Sequence, residues 1–67
     1  MLKIYSKPNC PACVDLKHAL DLNEVPYQVV DITVDDTAMQ ELIDGGFRSV
    51  PQAMLNGEWV RDLMELI

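Results

Sequence analysis

The sequence predicts an α/β domain with a four-stranded mixed sheet, in the element order β-α-β-α-β-β-α. Three observations carry that prediction. A short apolar run at residues 2–5 and a β-branched-rich one at 27–32 are separated by a stretch of helical spacing. A second helical pattern, "DDTAMQELIDGG", follows them. Last comes "QAMLNGEWV", two short β-like runs around Asn56-Gly57, the strongest two-residue hairpin signal.

The first strand is read from Leu2, Ile4 and the ring of Tyr5, a run typical of a strand covered on both faces, ending in the loop from Ser6 to Asn9. Pro11 suits the first turn of a helix, because its missing N–H would have no partner there. The helix is expected over residues 11–23, with Cys13, Leu16, Ala19, Leu20 and Asn23 on one stripe and Asp15, Lys17, His18 and Asp21 largely opposite. Pro26 ends the connection. "YQVVDI" then reads as a second buried strand, parallel to the first through a right-handed crossover. In the second helix Asp35 and Asp36 are the capping candidates, Ala38, Met39, Leu42 and Ile43 the apolar set, and Gly45 the stop. After the hairpin, "RDLMELI" places Leu63, Met64 and Ile67 at helical spacing and predicts one or two closing turns.

A chain of 67 residues is expected to form one domain, over residues 1–67, that removes roughly 60% of its unfolded surface from water. Its opening "MLKIYSK" lacks the apolar core and cleavage site of a signal peptide, and no apolar run exceeds three residues, so neither export nor membrane spanning is expected. A cytoplasmic, reducing setting follows as the expectation. The net charge of -6 argues against nucleic acid, which asks for a basic face.

The only two cysteines stand in "NCPAC". A disulfide at that spacing closes a tiny ring and restricts the unfolded chain very little, so a structural staple is a weak reading. In a reducing compartment such a pair is more often catalytic or metal-binding. A structural zinc site normally needs four ligands, whereas Cys10, Cys13 and His18 are the only soft candidates, and His18 points to the polar side of the helix. Haem attachment is excluded by Val14, which stands where a histidine would be needed.

With Pro11 as the first helical residue, Cys10 takes the N-cap position, facing the free N–H groups of Ala12 and Cys13. The positive end of the helix favours the thiolate there, and Lys7 adds to the effect. Cys13, one turn further in, is expected to be less exposed and less ionised. The spacing separates two roles: Cys10 attacks a disulfide, and Cys13 resolves the mixed disulfide that results. In "GGFRSVPQ", Pro51 starts a strand, where a proline costs a ladder hydrogen bond unless it lies at the first position or an edge. It is either an ordinary turn proline or the second residue of a cis peptide that offers the backbone of Val50 to an extended substrate.

Taken together these motifs resemble the glutaredoxin family of the thioredoxin superfamily, including the closely similar NrdH-type redoxins. "YSKPNCPAC" is similar to the family's Lys-x-x-Cys-Pro-x-Cys, "SVPQ" stands where the family has its Thr-Val-Pro, and "NGEW" falls at its final hairpin. The resemblance implies a thioredoxin-like fold, Cys10 as nucleophile and Cys13 as resolving cysteine. It also implies that Lys7, Pro11, Ala12, Arg48, Val50, Pro51 and Asp62 line the site for glutathione or a substrate peptide. No tightly bound cofactor and no metal are implied; glutathione is the expected co-substrate, and a monomer the expected state. In the glutathione-dependent branch glutathione itself is the reductant, and "CPAC" and "VPQ" resemble that branch; in the NrdH branch thioredoxin reductase supplies the electrons and ribonucleotide reductase receives them, and "GFR" before the Val-Pro step and Trp59 resemble that one. The chain departs from both branches after Trp59, where "WVRDL" runs on without the glutaredoxin Gly-Gly pair or the NrdH Ser-Gly-Phe segment. Ala12 also replaces the common active-site Tyr.

Arg48 reads equally as a contact for an acidic tail and as a solvated loop charge, while Phe47 and Trp59 read as core edge or groove wall. The leading expectation is a thiol-disulfide oxidoreductase acting on protein disulfides or glutathione mixed disulfides. A reading of another class is an iron-sulfur module bridged by Cys10 thiolates of two subunits and external thiols. A third is a degenerate fold that only binds a partner.

Overall fold

The computed structural model describes residues 1–67. The elements are β1 (Leu2–Ser6), α1 (Pro11–Leu22), β2 (Gln28–Asp31), α2 (Asp36–Asp44), β3 (Gln52–Leu55), β4 (Glu58–Val60) and a closing 3-10 helix η1 (Leu63–Leu66). They form one four-stranded sheet in the order β2-β1-β3-β4. β1 pairs parallel with β2, with Ile4 opposite Val29, and antiparallel with β3, with Ile4 opposite Ala53. The β3–β4 hairpin turns through Asn56 and Gly57, both at positive φ, as the Asn-Gly turn requires. No helix is long and apolar enough to cross a membrane.

Alternation along β1 divides the core into two layers. Leu2 and Ile4 face α1 and pack with Leu16, Leu20 and Ala53, closed at the edge by Leu63 and Leu66 of η1. Tyr5 faces the other way, against Ala38 and Leu42 of α2, with Phe47, Val50 and Trp59 around it. The Tyr5 hydroxyl donates to Glu41 Oε2 at 3.1 Å, which gives the buried phenol a partner.

Several elements depart from the sequence expectation. β2 is an edge strand paired only with β1, and Val29 on it is 44% exposed, so it is not a strand buried on both faces. The closing element is 3-10 rather than α, and the side it packs on the core is Leu63 and Leu66, both partly buried, leaving Met64 and Ile67 exposed. In α2 only Ala38 and Leu42 reach the core, while Met39 and Ile43 stay at the surface. Gly45 is the C-cap at an ordinary φ of -76°, and the left-handed position is Gly46 at φ 83°. Phe47 N–H donates to Leu42 O and Gly46 N–H to Ile43 O, the two bonds of a Schellman stop. α1 ends the same way with Glu24 in the left-handed position, at φ 56°.

Candidate active site

The site is built where β1 hands the chain to α1. β1 ends at Ser6, the one buried polar residue, and Lys7 to Asn9 form an exposed turn with Asn9 at φ 59°. Asparagine tolerates that left-handed geometry better than most residues. The turn delivers Cys10 to the N-cap of α1 in extended conformation (φ -112°, ψ 100°), with Pro11 at the first helical position. Cys10 O accepts the first helical hydrogen bond from Val14 N–H at 3.1 Å. Its Sγ accepts from Cys13 N–H at 3.3 Å, so the thiol does what a serine or aspartate does at other helix starts.

The two thiols are free and lie in different surroundings. Cys10 is 8% exposed and Cys13 fully buried, at 0%. The thiol of Cys13, donating to Cys10, is the largest influence holding the Cys10 pKa below the ordinary thiol value; the N–H groups of Cys13 and Ala12 and the charge of Lys7 act in the same sense. Burial opposes them. Cys13 is pushed up, first by burial and then by giving its proton to the hydrogen bond with Cys10, while the Ser6 hydroxyl pulls it back in part. The two shifts run in opposite directions, so the thiolate is favoured at the outer sulfur of Cys10 over the buried sulfur of Cys13.

Across from α1, the Val50–Pro51 peptide is cis, and Val50 O lies 3.9 Å from Cys10 Sγ. Pro51 precedes β3, so its missing N–H interrupts no ladder. Lys7, Arg48 and Val50 are among the residues lining a cavity of about 370 Å³, which reaches the neighbourhood of Cys10 through Val50. Pro11 and Ala12 are exposed on the first turn of α1. Asp62 lies apart from that cavity: its carboxylate caps η1, accepting from Met64 N–H at 3.0 Å. His18 is exposed on the polar face of α1. Phe47 and Trp59 form a wall, with ring centroids 4.8 Å apart, and Trp59 packs at a tilt of 48° against Tyr5, with centroids 5.1 Å apart.

Reading the sequence alone missed Ser6, Met39 and Ile43. Ser6 carried one signal, a polar residue closing an otherwise buried strand. Met39 and Ile43, read only as part of the apolar set of α2, line the cavity with Lys7 and Arg48.

The family profile for glutaredoxin matches residues 2–60. Among curated proteins, the glutaredoxin-like protein NrdH of Lactococcus lactis is 31% identical over 51 residues, which is 76% of this chain and 71% of that protein. Prostaglandin E synthase 2 of Danio rerio is 34% identical over 56 residues; these cover 84% of this chain, and the chain spans 14% of the length of that relative. Among solved structures, the thioredoxin-like protein BC3987 superposes with a TM-score of 0.84 at 32% identity, covering 100% of both chains.

Proposed function

The chain belongs to the glutaredoxin family, thiol-disulfide oxidoreductases of thioredoxin-like fold, and from that premise we propose that it is a two-electron dithiol carrier for protein disulfides or glutathione mixed disulfides. The observation that supports this most directly is the asymmetry of the pair: Cys10 Sγ held on the helix N-terminus at 3.3 Å from Cys13 N–H, and Cys13 buried beneath it.

The steps follow from that asymmetry. The Cys10 thiolate attacks one sulfur of a substrate disulfide, a new S–S bond forms, and the other substrate sulfur leaves as a thiolate that takes up a proton. Cys13 then gives up its proton and attacks Cys10 Sγ. The second substrate sulfur leaves as a thiolate and takes up the proton that Cys13 released, and the two electrons of the dithiol have moved to the substrate, leaving a Cys10–Cys13 disulfide. Once Cys10 is bonded to substrate it no longer carries the negative charge that helped hold the Cys13 proton, so the second attack is released by the first. Lys7 supports the thiolate by charge, and Val50 offers its backbone to an extended substrate. Pro11, Ala12 and Pro51 shape the rim, and Arg48 is the second cation near it.

One observation favours a protein as the source of electrons, as in NrdH-type redoxins. Asp62 is engaged in capping η1, and "WVRDL" folds into that turn without the glycine pair that glutathione-dependent members use. The proposal therefore has thioredoxin reductase as reductant and ribonucleotide reductase as one acceptor. The carrier is proposed as a monomeric single domain in the cytoplasm, with no tightly bound cofactor. The test follows NADPH consumption by the oxidised protein, with an excess of a protein disulfide as terminal acceptor, in two mixtures, one with glutathione and glutathione reductase, the other with thioredoxin reductase. Turnover with thioredoxin reductase alone is expected. Turnover with glutathione alone would return the chain to the glutathione-dependent branch, and silence in both would refute the carrier reading.

A further inference from the structure

A second cavity, of about 530 Å³, lies at the end of the molecule away from Cys10. β1 starts there at Leu2 and runs about 13 Å, at ~3.3 Å per residue, before the turn that leads to Cys10. β3 ends there, since Leu55 pairs with Leu2, and the connection from α1 to β2 and the end of η1 close the sides. The walls are Leu2, Val25, Pro26, Tyr27, Leu55 and Leu66. Apolar surface continues outside them: Met1, which also lines the cavity, is 79% exposed, and Leu22, three residues before Val25, is 72% exposed. Exposed apolar surface that reaches beyond a single cavity marks a place where another molecule sits. The charged side chains around it share one sign. Glu65 is the only charged side chain in the lining, and the Tyr27 hydroxyl is hydrogen-bonded to the Asp21 carboxylate. Glu24 stands one residue before Val25, and the last turn of α1 carries no basic residue to offset the negative end of the helix. Lys3, the cation nearest in β1, projects from the other face of the sheet over the ring of Tyr5, and the amino group of Met1 is taken up by Asn56 Oδ1.

We propose that this end of the molecule docks a basic partner protein, through a segment that carries a bulky apolar side chain beside a lysine or arginine. The apolar side chain enters the cavity between Val25 and Leu55, and the cation meets Glu65 and the carboxylates at the end of α1. Charge complementarity selects this occupant. A second copy of the chain would bring Glu65, Asp21 and Glu24 of both copies to one shared interface, where like charges repel. A small molecule that filled the cavity would leave Leu22 uncovered. The proposal goes beyond the dithiol reading and does not depend on it. A partner held here leaves Cys10 and its rim free, so the protein can be tethered and exchange disulfides at the same time.

The test uses three synthetic peptides of equal length and without cysteine, centred on Leu-Lys, Leu-Glu or Ser-Lys, titrated into the whole chain while backbone amide shifts are followed by NMR. The Leu-Lys peptide is expected to bind about tenfold more tightly than either of the others, with the largest shifts at Val25, Leu55 and Leu66. Saturating Leu-Lys peptide should leave the rate of Cys10 alkylation by iodoacetamide unchanged. In Glu65→Lys, a substitution at an exposed position of η1, the preference for Leu-Lys over Leu-Glu should vanish or invert. Equal affinities, tighter binding of Leu-Glu, or no saturable shift with millimolar Leu-Lys would overturn the proposal. So would shifts centred on Cys10 and Val50, which place the peptide at the thiols, or shifts at Val25 and Leu55 that grow with protein concentration alone, which make the occupant a second copy. A preference for Leu-Lys that survives Glu65→Lys would overturn the role given to charge.

Discussion

Replacing Gly45 with alanine tests how the aromatic wall beside the site is held. The backbone there, at φ -76° and ψ -5°, suits any residue, so the substitution should stabilise by about 0.4–1 kcal/mol through the unfolded chain alone. Space decides the opposite. A Cβ at Gly45 would lie 2.8 Å from Trp59 Nε1, 3.0 Å from Trp59 Cε2 and 3.1 Å from Phe47 Cδ2. The indole has no easy retreat, since Tyr5 and Phe47 stand on it at centroid distances of 5.1 and 4.8 Å. Overpacking of this kind costs about 1–3 kcal/mol, which leaves a net destabilisation on the order of 1–2 kcal/mol. At ~4–8 °C per kcal/mol in a domain of this size, the melting temperature should drop by roughly 10 °C. Urea denaturation followed by fluorescence is the assay, because Trp59 is the only tryptophan. Gly46→Ala is the control: at φ 83°, with nothing within 4 Å, it carries backbone strain of about 1–2 kcal/mol but touches no ring. Both variants should lose stability, and only Gly45→Ala should shift the native emission of Trp59. A Gly45→Ala protein as stable as the parent, with unchanged emission, would refute the reasoning.

Other outcomes follow from the buried titrating groups. The Cys10 pKa is depressed, so its alkylation by iodoacetamide should persist at pH values where an ordinary thiol has stopped reacting; Cys13→Ala, which removes the largest cause of that depression, should move the midpoint upward. A midpoint unmoved by Cys13→Ala would contradict the hydrogen bond between the thiols. Tyr5 is pushed up from 10.0 to about 12 by burial and by Glu41, so its contribution to stability is full below pH 10.0 and fades as the pH approaches about 12. The difference in unfolding free energy between the parent and Tyr5→Phe should therefore shrink by on the order of 2 kcal/mol across that window. A difference that stays constant with pH would mean that the phenol ionises as it does in the unfolded chain.

Much of the fold was legible in the sequence because its signals are local. Pro11 after Cys10 fixes the start of α1, Asn56-Gly57 fixes the hairpin, and the runs at β1 and β2 give a parallel pair joined by a helix. What stayed hidden depends on partners distant in the chain. The spacing of Ala38, Met39, Leu42 and Ile43 shows an apolar face on α2, but not that the sheet covers only half of it. β2 carries the composition of a central strand and lies at the edge, because strand order is set by which neighbour β1 takes on its other side. The close approach of Gly45 to Trp59 spans fourteen residues of sequence and leaves no pattern in either segment. In the candidate site, Lys7, Cys10 and Cys13 are read from one short motif, and Val50 and Pro51 reach it through the fold. Asp62 is held elsewhere by the cap it makes.

The central claim is that Cys10 attacks and Cys13 resolves. The most direct measurement mixes reduced Cys13→Ser protein with a protein disulfide and identifies the product by mass spectrometry of its peptides. The account predicts a mixed disulfide that accumulates at Cys10 and goes no further, while the parent protein releases reduced substrate and ends with a Cys10–Cys13 bond. Catalytic turnover of the protein disulfide by Cys13→Ser, or no adduct at Cys10, would contradict it.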